Sequence, residues 1–245
     1  MPYHYFVRQL SSETQPVFKR LALEWRVFFE VWRGETICLD SNPHSRTHTL
    51  FINNDLVSSM EQILPILVTY LCRAKLAETI DSAFATLRIA SPWPWYSLEA
   101  HMLFSAWKHT DLWANDLRHR LFPYFSQRGR ISSREFQRRV TVYAPCEPPL
   151  MTPFAVVTAL EIAERRRYRL VSRVDPYTII GSSQLIHLVK ELVTFYESPS
   201  LDPLPSDKTG ALKRLEDSVG EACVVLGFPF RPTMTRHDGI SQWRC

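Results

Sequence analysis

Residues 24–53 read EWRVFFEVWRGETICLDSNPHSRTHTLFIN and form the best candidate for sheet in the chain. Trp25, Val27, Phe29 and Val31 alternate with Arg26, Phe28, Glu30 and Trp32, the period of two expected of a strand with one covered face. Aromatics on both faces blur the alternation. Arg33-Gly34-Glu35 supplies turn residues, so Thr36-Ile37-Cys38-Leu39 is expected to pair back on the first strand as a hairpin. The polar run Asp40 to Arg46 reads as a loop, and Thr47 to Asn53 as a third short strand.

Beyond this stretch the pattern turns helical. Leu56, Met60, Ile63, Leu64, Leu67 and Leu71 recur at helical spacing, with Pro65 expected to kink the helix. A second helix is expected from about Ser97 to His119, closed by Pro123. Phe136 to Tyr143 reads equally as helix or strand. Pro148-Pro149 is a stop, and Thr152-Pro153 combines an N-cap hydroxyl with a first-turn proline. Val156, Val157, Leu160 and Ala163 then make an apolar stripe, and the arginines that follow suit a helix C-terminus. Ser182-Ser183 caps the clearest amphipathic helix, with Leu185, Leu188, Val189, Leu192 and Phe195 on one face. Ser198 to Thr209 reads as a proline-rich linker, and Ala211 to Leu226 as a last helix stopped by Gly227 and Pro229. From Arg231 the chain reads as a mobile tail. The expected fold class is α+β and predominantly α-helical, with a small N-terminal β element packed on a helical core. Its parts are a β-containing element over 1–55, a helical core over 56–197, a linker over 198–209, a C-terminal helix over 210–228 and a tail over 229–245.

With 245 residues, 45% of them apolar, the chain can bury a sizeable core. At 22% charged residues it does not have a disordered composition. Seven glycines against 17 prolines, with no Gly-x-Gly-x-x-Gly or Gly-x4-Gly-Lys-Ser/Thr pattern, argue against a phosphate-cradling loop. The net charge of +4 does not by itself imply nucleic acid. Cys38, Cys72, Cys146, Cys223 and Cys245 are odd in number and scattered, which fits a reducing compartment. No apolar run reaches the roughly 18 residues of a membrane span, and Met1 to Phe6 lacks the features of a signal peptide. The expectation is a soluble intracellular protein.

No local pattern names a catalytic or metal-binding residue, and no cofactor is implied. His44 and His48 sit four apart in a loop rather than on a helix face, and His101 has no ligand partner nearby, so loop or core histidines are the simpler reading. A Cys-His pair meeting in space stays open. The basic residues fall in two clusters. Arg128, Arg130, Arg134, Arg138 and Arg139 belong to a stretch with interleaved aromatics that could stack bases. Arg165, Arg166 and Arg167 form the second cluster. Solvated faces and a dipole-matched helix end are the favoured reading of both, and Glu161 lies one turn before Arg165 as an i,i+4 ion pair that supports it. Pro145/Pro148 and Pro229/Pro232, with Pro149/Thr152-Pro153 as a near miss, have the spacing of polyproline ligands, which 17 prolines also produce by chance. The aromatic start, Tyr3, Tyr5 and Phe6, carries little helix-forming signal; it reads either as an arm that anchors a partner or as one packed on its own domain.

Residues 87–107, LRIASPWPWYSLEAHMLFSAW, hold three tryptophans, a tyrosine, a phenylalanine and two prolines. Pro92 and Pro94 fix φ and push Ser91 and Trp93 out of the α region, so Trp93, Trp95 and Tyr96 leave an extended bend in set directions, as packing groups or as partner anchors. The Trp-Pro bend followed by Ala100-His101-Met102-x-Phe104-Ser105 resembles the central segment of the phlebovirus nonstructural NSs proteins. Leu160 to Leu170 (LEIAERRRYRL) is similar to the basic helix of that family, and Ile179 to Leu192 to the apolar helix after it. The resemblance covers roughly residues 80–195. It implies a viral virulence factor without enzymatic activity that antagonises innate immunity, through interferon induction or signalling or the linked translational stress response. Such proteins bind and sequester host innate-immune, transcription or translation-initiation proteins, and self-association is within their range. The location implied is host cytoplasm, also nucleus. The end of the chain, Arg236 to Cys245, is not acidic and lacks the aromatic-x-acidic-Val motif with which one member engages transcription machinery. A basic helical RNA-binding structural protein such as a nucleocapsid is the competing reading, and a steep loss of RNA affinity with salt would favour it.

Overall fold

A stripe of Phe6, Leu10, Thr14, Val17 and Leu21 runs down the first helix, α1 (Tyr3–Leu21), and all five are buried. In the computed structural model, which describes residues 3–33, 37–53, 60–90, 98–123, 148–168, 177 and 183–244, the chain opens on this helix rather than on an arm without regular structure. The polar member of the stripe explains why the period is hard to read. Thr14 occupies a core position because its hydroxyl donates to the Leu10 carbonyl at 2.7 Å, which removes the penalty of burying it unpaired. Lys19 and Arg20 in the last turn suit the helix dipole. The helix ends at Ala22, which takes a left-handed φ of 49°.

The fold is α+β and mostly helical, and the chain divides into two units. The first comprises Met1–Arg88, Ala114–Arg130 and Arg236–Gln242. Its sheet has β1 (Arg26–Trp32), β2 (Cys38–Asn42) and β3 (Thr47–Asn53) in the order β1-β3-β2. The expected β1–β2 hairpin does not form. β1 pairs in parallel with β3, Arg26 opposite Thr47 and Trp32 opposite Asn53, and β2 pairs antiparallel with β3, Cys38 opposite Phe51. The tight turn lies between β2 and β3, where the Asn42 side-chain oxygen accepts from the amides of His44 (3.0 Å) and Ser45 (3.3 Å), an Asx-type turn. Arg46 completes it at φ 49°. β3 takes the centre because its inner residues His48, Leu50 and Ile52 are all fully buried. α2 (Met60–Thr79) lays Ile63, Leu67, Val68, Leu71 and Cys72 into the same core as α1, Phe29, Leu39, Leu50 and Ile52.

The second unit comprises Ile89–Trp113, Ile131–Thr235 and Trp243–Cys245. The single helix expected over 97–119 is two, α3 (Leu98–Trp107) and α4 (Thr110–Leu121), of which Ala114–Leu121 belongs to the first unit. The break falls at Lys108-His109, where the His109 Nδ1 donates to the Ala106 carbonyl at 2.6 Å. α5 (Pro148–Arg167) starts at Pro148 rather than Thr152: the two prolines read as a stop sit at its first positions, where a fixed φ and a missing N–H cost least. α6 (Ser183–Tyr196) buries the expected Leu185, Val189, Leu192 and Phe195 together with Val193 and Tyr196, while Leu188 is only half-buried. α7 (Lys208–Val225) is capped by Asp207, which accepts from the Gly210 amide at 2.6 Å, and closes at Gly227 with φ 73°. α5 packs on α3 and α6, and α7 on α3 and α6.

The expected linker is held in place. Pro199–Leu201 forms a 3-10 turn with Leu201 buried, and its carbonyls accept from Arg214 Nη1 (Pro199, 3.1 Å) and Arg167 Nη2 (Leu201, 3.1 Å). Nor is the chain end a loose tail. β4 (Thr233–His237) and β5 (Ile240–Arg244) form a hairpin across Asp238-Gly239, whose φ values of 48° and 76° are those of a two-residue primed turn.

Candidate functional sites

Ser41 on β2 and His48 on β3 are cross-strand partners on the inner face of the sheet. The Ser41 Oγ lies 2.8 Å from His48 Nδ1, and His48 Nε2 lies 3.2 Å from Glu78 Oε1 on α2. Glu78 also accepts from the backbone amides of Glu24 (2.9 Å) and Trp25 (2.8 Å), and Lys75 Nζ stands 3.5 Å away. A carboxylate only accepts, so Nε2 carries the proton toward Glu78 and Nδ1 accepts from the Ser41 hydroxyl. Serine, histidine and carboxylate in series are the parts of a nucleophile-activating relay. Here Ser41 and His48 are fully buried, and Trp25 stacks on the imidazole with ring centroids 4.9 Å apart. In this conformation no substrate carbonyl can reach the Ser41 Oγ. The relay works instead as a clamp that ties the end of α2, the entry to β1 and the β2–β3 pair together. His48 therefore belongs to the core, one of the two simple readings of its sequence position.

Burial pushes the His48 pKa below its ordinary value, with the Glu78 hydrogen bond and charge pulling the other way. The unfolded chain binds a proton near pH 6.5 and the folded chain only at lower pH, so protonation favours unfolding. Stability is then full above about pH 6.5 and declines as pH falls from there toward the folded pKa. Thermal unfolding at pH 7.5 and 5.5 should show the lower Tm at 5.5. His48→Gln should shrink that difference.

In the second unit His109 is fully buried, with Nε2 2.8 Å from the Ser218 Oγ on α7 and Trp113 and Phe195 edge-on to the ring. The Ser218 hydroxyl also reaches the Leu215 carbonyl at 3.0 Å. This second Ser-His contact has the same sealed character. Two of the cysteines, Cys72 and Cys223, are muted as well. Burial pushes the Cys72 thiol up to about 12, against the pull of Arg118 and Arg120, and Cys223 is fully buried. A thiol that is not ionised is neither nucleophile nor ready ligand. With a maleimide at pH 7.5, Cys72 and Cys223 should stay unlabelled in the native chain while half-buried Cys38 reacts, as mapped by peptide mass spectrometry. Among the described residues no group of three or more His, Cys, Asp and Glu is placed to hold a metal ion.

The aromatics at the start of the chain separate by one position of a helix. Tyr5 is 61% exposed and Phe6 1%. Phe6 is thus a core residue and not a partner anchor, while Tyr5 projects from a helix that fixes its direction. The Tyr3 side chain, Trp93, Trp95 and Tyr96 lie outside the described residues, as do Arg128, Arg130, Arg134, Arg138 and Arg139. The Arg165-Arg166-Arg167 cluster is not an open basic patch. Arg165 Nε pairs with Glu161 at 2.7 Å, Arg166 Nη1 with Glu197 at 3.3 Å, and Arg167 donates to the Leu201 carbonyl. Of the polyproline spacings, Pro232 is buried, so Pro229/Pro232 does not present two prolines to an aromatic groove, and Pro145 lies outside the described residues. Sequence reasoning missed Phe28 (45% exposed) and Trp32 (37%) on the outer face of β1 and Phe104 (48%) on α3 as exposed aromatics. For β1 the signal was present as the aromatics on both faces of the strand.

No helix among the described residues is long and apolar enough to cross a membrane. Searches of protein-family models, curated proteins and solved structures return no match to this chain.

Proposed function

We propose that the chain is a protein-binding antagonist of host innate immunity of the phlebovirus NSs kind, acting by sequestration rather than catalysis. The observation that carries this reading is the Tyr5/Phe6 pair: a buried Phe6 locks the first turns of α1, and the adjacent Tyr5 ring is held out in solvent. A large, amphipathic ring presented by a rigid element loses little entropy on binding, which is what an interface anchor needs. The resemblance of Leu87–Trp107 and Leu160–Leu170 to NSs segments names the class, and the sealed serine–histidine contacts leave binding as the simpler mode of action. The partners already held by Arg165, Arg166 and Arg167 weigh against RNA binding at that cluster.

The test is an interferon-promoter reporter in stimulated host cells, read together with affinity capture of the dominant partner. The chain should suppress the reporter. Tyr5→Ala should leave the Tm unchanged and weaken partner capture at least tenfold, about 1.4 kcal/mol. No suppression and no specific partner, or full capture by Tyr5→Ala, would overturn the reading.

A further inference from the structure

We propose that the outer face of the β1-β3-β2 sheet pairs with the same face of a second copy of this chain about a two-fold axis over Phe28. The inner face is covered by α1 and α2, while along β1 the outward residues Arg26, Phe28, Glu30 and Trp32 are all exposed. Their order is cation, aromatic, anion, aromatic. Arg26 lies over the Phe28 ring at 5.8 Å, and Trp32 meets Phe51 of β3 at 6.0 Å, so the face is an aromatic patch with one charge of each sign along one strand. That pattern is self-complementary. Turning a copy by 180° about an in-plane axis through Phe28 lays Phe28 on its mate and sets Arg26 above the Glu30 of the partner subunit, twice over. An isologous contact needs this reciprocity, and aligned sheets about 10 Å apart accommodate it. The mixed signs do not suit a nucleic acid backbone, which would meet Glu30 and Asp40 on the same face.

Strands of seven, five and seven residues at ordinary spacing give this face about 300 Å² per protomer, well under the roughly 800 Å² of a standard stable interface. The pairing is therefore weak and concentration-dependent, and it uses other residues than the Tyr5 contact. Sedimentation velocity of the purified full chain across a hundredfold concentration range should show a reversible monomer–dimer equilibrium. R26E and E30R should each raise the dimer dissociation constant at least tenfold with no change in Tm, since both side chains are exposed. The doubly exchanged R26E/E30R chain should regain dimerisation. A monomer at every concentration, or a double exchange that stays as weak as the single variants, would overturn the proposal.

Discussion

Glu78→Ala should lower the unfolding free energy by about 3 kcal/mol, roughly 6–12 °C in Tm for a chain of this size. The side chain of Glu78 is 4% exposed. Its two oxygens serve the amides of Glu24 and Trp25 and the Nε2 of His48. Truncation leaves those donors without an acceptor where water enters poorly, and it leaves Lys75 with the Ala22 carbonyl but without its anionic partner. Trp25 would also lose the bond that holds its ring against His48. The amide of Glu24 lies at the surface and recovers water, which keeps the loss near the lower end of the range for breaking a buried charged pair. Glu78→Gln retains one carbonyl acceptor and should cost about 1 kcal/mol. Denaturant unfolding of both variants gives the comparison. Equal losses for Ala and Gln would show that the charge, and not the count of acceptors, holds the clamp.

The clamp also marks the boundary of what can be read along the chain. His48 reads as a loop or core histidine from its neighbours, but Glu78 lies 30 residues on and nothing in either local pattern announces the other. The break between α3 and α4 has the same origin, because His109 is buried against Ser218, 109 residues away. The existence of the three strands follows from the alternation in residues 24–53, yet their order does not. A strand can pair with either neighbour, and the Asn42 turn joins β2 to β3 through hydrogen bonds that only folded backbone reveals. α6 is legible because all of its core positions are apolar. α1 is not, because Thr14 interrupts the stripe and Pro16 sits inside the helix. Two signals were present along the chain. The i,i+4 spacing of Glu161 and Arg165 points correctly to an ion pair, and Asp238-Gly239 between short alternating runs is a hairpin turn where a tail was expected.

That hairpin carries the second large effect. Trp243→Ala should destabilise the chain by about 3–5 kcal/mol, the usual loss for a large aromatic removed from a packed site. Trp243 is fully buried on β5. Its backbone is paired as well, with the Ala90 amide donating to the Trp243 carbonyl at 2.8 Å and Ile89 bridging to it in parallel. The indole Nε1 has no hydrogen-bond partner among the described residues, and a buried donor left unpaired costs roughly 1–3 kcal/mol. Trp243→Phe removes that penalty together with part of the ring, so the cavity term and the relieved donor oppose each other. Its net cost should be only about 1 kcal/mol. A polar but unburied end would behave differently: both variants would unfold like the parent. Urea titrations followed by circular dichroism at 222 nm separate the outcomes. Should Trp243→Phe prove as damaging as Trp243→Ala, the indole N–H must hold a bond, and the stability of the hairpin would rest on that bond rather than on packing.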